Sequence, residues 1–282
     1  MAIALIPYPV IDPVAFYVGP FPIRWYALSY IGGLGLGWLY AWALLRTDRL
    51  WNGTPRPRPQ SIADLVLYLA LGVVVGGRLG QVIFYQPEYF AAHPIEVFEP
   101  WLGGMSFHGG LIGAALAIWY FALESQTPLL TVADICAATA PIGIFLVRIA
   151  NFVNEEQWGR PSDVPWAMIF PDADNQPRHP SQLYEAGLEG LLLLLAVALF
   201  VRGGALKRPG VVTGVFCVGY AVTRIISEFF RQPDPQLEQL SYGLTMGMVL
   251  SVPLLLAGAA LLLYTLRSRA KPVPGDKRGG LQ

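Results

Sequence analysis

Residues 144–160 read IFLVRIANFVNEEQWGR. The stretch opens as apolar as a lipid-facing helix. Arg148, Asn151, Asn154, Glu155, Glu156 and Arg160 then follow before it ends. An apolar run that finishes in guanidiniums, amides and carboxylates describes a helix leaving a bilayer for polar surroundings. The whole chain agrees with that reading. It has 282 residues, 54% hydrophobic and 13% charged, whereas a soluble domain carries about 25% charged residues. Several runs approach the ~20 apolar residues that a membrane crossing requires. A formal net charge of zero argues against a nucleic-acid partner.

Length and apolarity predict an all-α bundle of seven transmembrane helices, at 22–45, 62–84, 104–122, 131–150, 183–201, 210–228 and 241–265. The loops orient it. Arg46, Arg49, Arg56 and Arg58 follow the first helix. Arg202, Lys207 and Arg208 follow the fifth. Arg267, Arg269, Lys271, Lys277 and Arg278 close the chain. Basic residues collect on the cytoplasmic side, so the N-terminus is expected outside and the C-terminus inside. Residues 1–21 then form a periplasmic, interfacial arm, 22–265 the seven-helix domain, and 266–282 a basic cytoplasmic tail. Within the domain, the Tyr-, Phe- and Trp-rich residues 85–103 suit an outer interfacial segment. Residues 151–182, with Trp158, Trp166 and Phe170, suit a small periplasmic cap.

With these directions Arg78, Arg148 and Arg224 all lie near outward exits, while Arg24, Tyr26 and His108 lie near inward-running starts. Residues remote in sequence thus converge on one depth. An arginine at a helix end can be a plain interfacial anchor that snorkels to water, and that reading suits Arg24 best. It is weaker for Arg148 and Arg224. Arg148, Asn151 and Glu155 share a face if the helix continues, and Arg224, Glu228 and Arg231 repeat the pattern. RLGQVIF, RIANFVN and RIISEFF also echo one another, each opening on one of the three exit arginines. Guanidinium groups are planar, permanently charged binders of phosphate. At that depth the bilayer offers phospholipid headgroups, which makes an anionic lipid the simplest ligand, with Arg78 among its candidate partners. The inner halves of the helices read as plainly apolar.

His108 stands between glycine pairs in GGMSFHGGLIG. It can secure a turn by bonding a carbonyl, or move a proton near neutral pH. His179 and Ser181 admit a hydrolase pair in principle, but no GxSxG elbow is present. His93 reads as an interfacial surface residue. The histidines lack zinc spacing. Cys136 and Cys217 are far apart in apolar runs and read as packing thiols. An anion transporter would need polar residues along the whole crossing, and a lipid-binding scaffold would need no histidine beside the arginines.

FPIRWYAL, GGRLGQVIFY, GGMSFHGGLIG, VRIANFVNEEQWGR, HPSQLYE and RIISEFFRQPD occur in that order between residues 21 and 234. Together they resemble the prolipoprotein diacylglyceryl transferases, a family of bacterial inner-membrane enzymes. The resemblance implies transfer of the diacylglyceryl group of phosphatidylglycerol to the lipobox cysteine thiol of a prolipoprotein signal peptide. Glycerol 1-phosphate is the by-product, and no metal or organic cofactor is implied. Carried onto matching positions, the essential residues are Tyr26, His108, Arg148, Asn151, Gly159 and Arg224, with Glu156, Glu228 and Arg231 in support. The substrate brings its own nucleophile. His108 is then the expected base, Arg148 and Arg224 the stabilisers of the leaving phosphate, and Asn151 a headgroup or guanidinium orienter. Glu156, Glu228 and Glu185 are expected to keep the guanidiniums in position, and Gly159 to serve a tight turn.

Overall fold

The computed structural model describes residues 6–99, 101, 103–233 and 244–267. Among them, seven helical spans are long and apolar enough to cross a membrane. They are built from α1 (Trp25–Arg46), α2 (Ile62–Gly80), α4 (Phe107–Glu124), α5 (Leu129–Val153), α6 (Ser181–Glu185) joined to α7 (Leu193–Arg202), α8 (Val211–Glu228) and α9 (Met246–Arg267). Two spans contain π-helical turns. Gln81–Tyr85 extends α2, and Ala186–Leu192 links α6 to α7. The short α3 (Pro87–Ala92) and a 3-10 turn at Pro94–Phe98 occupy the expected interfacial segment.

Several boundaries shift by a few residues from expectation, α4 starting at Phe107 and α5 running on to Val153 among them. Residues 21–24 are not helical: Phe21–Arg24 forms β3, which pairs antiparallel with β2 (Val14–Val18), and α1 begins only at Trp25. The turn at Gly19 (φ 59°) favours the hairpin there. The last helix begins at Met246, and residues 244 and 245 before it are not helical. Its expected positions 241–243 lie outside the described residues, as does the tail from 268.

Helices in lipid gain nothing from hydrophobic burial against one another, so close packing must hold them. The most extensive pairings are α2 with α4, α8 with α9 and α1 with α5. At α2–α4 the backbones touch. A Cβ on Gly113 would stand 1.9 Å from the Gly72 carbonyl oxygen, and one on Gly109 would stand 2.2 Å from that of Gly76. No other residue type fits either position.

One end of the bundle is filled by Leu45, Trp51, Ile62, Phe121, Val132, Ile135, Val197, Leu206 and Val212. A carboxylate interrupts it, contrary to the expectation of a plainly apolar end. Asp134 is 1% exposed and accepts hydrogen bonds from the Gly210 amide (2.8 Å), the Thr213 amide (2.7 Å) and the Thr213 hydroxyl (2.6 Å). It caps the start of α8 where the helix dipole favours an anion. The other end carries the cap. β1 (Ile6–Pro7) pairs parallel with β4 (Met168–Ile169), which pairs antiparallel with β5 (Pro177–Arg178). The N-terminal arm is thus tied into the cap. Tyr8 sits against Phe152 and Phe170 and donates to the Phe152 carbonyl at 2.7 Å. Burial pushes its phenol up to about 12.

Candidate active site

α5 and α8 bring their basic residues to the capped end, and the helix formed by α6 and its π turn brings carboxylates to meet them. Arg148 Nη1 lies 3.0 Å from Glu185 Oε2, and Arg148 Nη2 lies 3.1 Å from Glu189 Oε2. The first contact has ion-pair distance without hydrogen-bond alignment. Arg224 Nη1 reaches Glu185 Oε1 at 3.0 Å and Glu189 Oε1 at 3.4 Å, and its Nη2 binds Glu228 one turn on. Arg231 Nη1 meets Glu185 Oε1 at 3.2 Å. Gln157 Oε1 accepts from both Arg148 and Arg231 at 3.0 Å. Glu185 and Glu189 are 0% exposed, a burial tolerable only because each carboxylate is matched by guanidiniums. The arginine side chains of positions 148 and 224 keep 15% and 14% of their surface, so neither is fully enclosed.

A second chain of polar contacts runs beside this cluster. Asn151 Nδ2 donates to the Tyr26 hydroxyl at 3.2 Å and to Glu156 Oε2 at 3.3 Å. Its own Oδ1 is buried with no hydrogen-bond partner among the described residues. Glu156 therefore orients Asn151; the guanidinium contact expected of it is absent among the described residues. Glu155 also departs from expectation. α5 stops at Val153 and Glu155 has φ 55°, so it leaves the Arg148 face and accepts from the Asp172 amide at 3.1 Å.

Gly159 makes no tight turn. Three chain segments cross at it. Its amide donates to the His179 carbonyl at 2.9 Å, the Arg160 amide donates to that of Phe230 at 2.8 Å, and Gly159 bridges Arg231 in antiparallel fashion. A Cβ there would lie 2.5 Å from the His179 oxygen and 2.7 Å from the Phe230 oxygen. Gly159 thereby lets the loop that carries Arg231 close against the cap.

Two expected site residues stand apart. Arg78 is buried and turned onto its own segment. It donates to the carbonyls of Val97 (3.1 Å), Gly103 (2.6 Å), Gly104 (3.2 Å) and Glu96, and its guanidinium lies over the Phe90 ring. These contacts fasten residues 96–104 to α2 and leave the expected lipid contact without support. His108 is exposed at the start of α4, its ring edge-on to that of Phe107. His93 stacks on Tyr89. His179 Nδ1 faces the Tyr184 hydroxyl at 3.1 Å, while the Ser181 hydroxyl donates to the Gln157 carbonyl, so the two form no hydrolase pair. Desolvation lowers the His179 pKa. Among the described residues no three His, Cys, Asp or Glu side chains gather as metal ligands would.

Glu189 and Gln157 escaped the sequence reading. The signal for Glu189 was present in YEAGLEGLLLLL: two carboxylates four residues apart in a membrane span must find cations.

The model of the prolipoprotein diacylglyceryl transferase family matches residues 13–264. The chain belongs to that family. Phosphatidylglycerol–prolipoprotein diacylglyceryl transferase of Methylocella silvestris is 56% identical, over 95% of this chain and 98% of the relative. The proteins of the same name from Nitrobacter winogradskyi and Agrobacterium fabrum are 52% and 54% identical, over 98% and 91% of this chain and 96% and 92% of the relatives. Family and helices together make the chain a multi-pass bacterial membrane protein.

Proposed function

We propose that Arg148, Arg224 and Arg231 seat the phosphodiester of phosphatidylglycerol while a prolipoprotein thiolate displaces the phosphate. As a family member the chain is a transferase that moves a diacylglyceryl group from phosphatidylglycerol to prolipoproteins in lipoprotein maturation. The observation that carries the site assignment is the convergence of guanidiniums from α5, α8 and the following loop on the shared carboxylates of one membrane helix. A pocket of fixed cations favours the charge that grows on a departing phosphate monoester.

The lipobox cysteine of the signal peptide supplies the sulfur. Its thiol loses a proton, since the thiolate is the nucleophile, and His108 is the assigned acceptor. Its exposed ring, free of hydrogen bonds among the described residues, is open to an incoming thiol. The sulfur then bonds the glyceryl carbon, the carbon–oxygen bond to phosphate breaks, and glycerol 1-phosphate departs with the bonding pair. Tyr26, Asn151 and Glu156 form a polar rail suited to the headgroup glycerol, with the unpaired Asn151 Oδ1 as an acceptor for a hydroxyl. Glu228 steadies Arg224, and Gly159 steadies Arg231. Arg78 is assigned to the interfacial segment rather than to the lipid. The basic loops support an inner-membrane topology with the N-terminus periplasmic and the C-terminus cytoplasmic. Both substrates reach the site laterally between helices.

The test is turnover by purified protein given phosphatidylglycerol and a lipobox peptide, read as glycerol phosphate release. His108→Gln should abolish release while lipid binding persists. Normal turnover by that variant would refute the base assignment.

A further inference from the structure

Glu189 lies one turn beyond Glu185, in the π-helical link Ala186–Leu192. π turns within α-helices recur at functional sites. Its two oxygens take different guanidiniums: Oε2 takes Arg148 Nη2 at 3.1 Å and Oε1 takes Arg224 Nη1 at 3.4 Å. One carboxylate therefore spans the gap between α5 and α8. The neighbouring backbone is wedged in place, because a Cβ on Gly190 would stand 2.6 Å from Phe145 Cβ and 2.7 Å from its Cα. Glu185 also touches Arg231, and Glu228 touches Arg224 alone among the three arginines. Glu189 is the carboxylate that joins Arg148 to Arg224 and leaves Arg231 aside.

Among the described residues the ion pairs link three arginines to three glutamates, so within that set the charges balance. That balance matters for an enzyme that turns a phosphodiester monoanion into a phosphate monoester, whose charge is about −1.5 to −2 at pH 7. Guanidiniums without counter-charges would grip the product harder than the substrate.

We propose that Glu189 is a positioning residue that sets the spacing of the Arg148 and Arg224 guanidiniums and limits their affinity for phosphate so that the product leaves. This rests on the reading that those arginines seat the phosphodiester. The energetic argument is one of differential binding. Spacing serves the transition state, whereas surplus charge would only deepen the product well.

The test uses the full chain with phosphatidylglycerol and an acceptor peptide, and measures kcat, KM and inhibition by glycerol 1-phosphate and by inorganic phosphate. Glu189→Gln removes one negative charge at nearly constant shape. It should lower the inhibition constant of both phosphates about tenfold, as expected for one charge in a partly screened pocket, with lower kcat and lower KM. Glu189→Asp keeps the charge and shortens the reach. It should lower kcat and leave phosphate inhibition unchanged. A Glu189→Gln protein with reduced kcat and parental phosphate sensitivity has lost only structure, and that result overturns the proposal. Where Glu189→Gln does not fold, Glu189→Asp decides, and altered phosphate inhibition there overturns it. Arg224→Lys separates the two readings. If it leaves phosphate inhibition untouched, the phosphate seat itself is misassigned. If it weakens inhibition and Glu189→Gln does not strengthen it, only the role of Glu189 falls.

Discussion

The seam between α2 and α4 and the seam between α5, α6 and α8 answer the same difficulty in opposite ways. Neither can rely on the hydrophobic effect, because lipid tails are as apolar as leucine. The first seam removes side chains until Gly72 and Gly113, and Gly76 and Gly109, bring backbone against backbone. The second fills its interior with arginines and glutamates that match one another. The glycine seam has one arrangement and no exchangeable partner. It makes a rigid mount, and His108 rides on it next to Gly109. The charged seam consists of ion pairs, contacts that the proposed phosphate oxygens would replace one by one. On the proposed reading, rigidity and chemistry fall to different helix pairs.

Removing an arginine from the charged seam should have the largest effect. Arg224→Ala deletes a guanidinium that meets Glu185, Glu189 and Glu228. Loss of one such donor costs about 10²–10³ in rate, and buried carboxylates left unpaired destabilise the fold by about 3–5 kcal/mol. Arg224→Lys keeps the charge but not the fork and should isolate the first effect. Its melting temperature in detergent should stay near that of the parent while glycerol phosphate release collapses. If Arg224→Lys is fully active, the seam is architecture and not machinery.

The glycine seam should break differently. Gly113→Leu must part α2 from α4, since even a Cβ would overlap the Gly72 carbonyl. Overpacking of this kind costs about 1–3 kcal/mol, and more where backbone is the obstacle. The measurement is thermal unfolding in detergent together with activity. Stability and rate should fall together, without the separation expected of Arg224→Lys. A Gly113→Leu protein of parental stability would show that the seam yields, and that the mount under His108 is soft.

The sequence reveals the two seams unequally. Helix count follows from apolar length, and the arginines of the charged seam stand out because polarity is costly where they sit. The counter-charges were harder to find. Glu185 and Glu189 lie on a helix without an arginine of its own before Arg202, and which helix faces α5 and α8 is a matter of packing. Arg78 shows the reverse problem. It stands near the end of an apolar helix as Arg148 and Arg224 do, yet its partners are the carbonyls of Glu96, Val97, Gly103 and Gly104. Backbone acceptors leave no mark in a sequence. Gly159 differs for a related reason: a glycine beside a polar loop reads as a turn, while its need for space comes from two segments distant in the chain.

The smallest effect should come from the cap, where an ion pair lies outside the membrane spans. Arg178 holds Asp174 through Nε at 3.0 Å and Nη2 at 2.6 Å, and reaches the Gly159 carbonyl at 2.9 Å. The hydrogen bonds from Arg178 keep the Asp174 carboxyl below the usual carboxylate range. A carboxyl with a depressed folded-state pKa contributes its stability above its unfolded value of about 3.9, and loses it as pH falls through the folded value. The pair is therefore fully formed throughout the neutral range. Asp174→Asn should keep turnover at pH 7 within about twofold of the parent, as befits an ion pair whose carboxylate is exposed, because Arg178 still holds Gly159. Melting curves of the two proteins should stay a constant distance apart from about pH 5 to 8 and merge only below the usual carboxylate range. If they merge near neutrality instead, some other group competes for Arg178, and the cap would be as exchangeable as the charged seam beneath it.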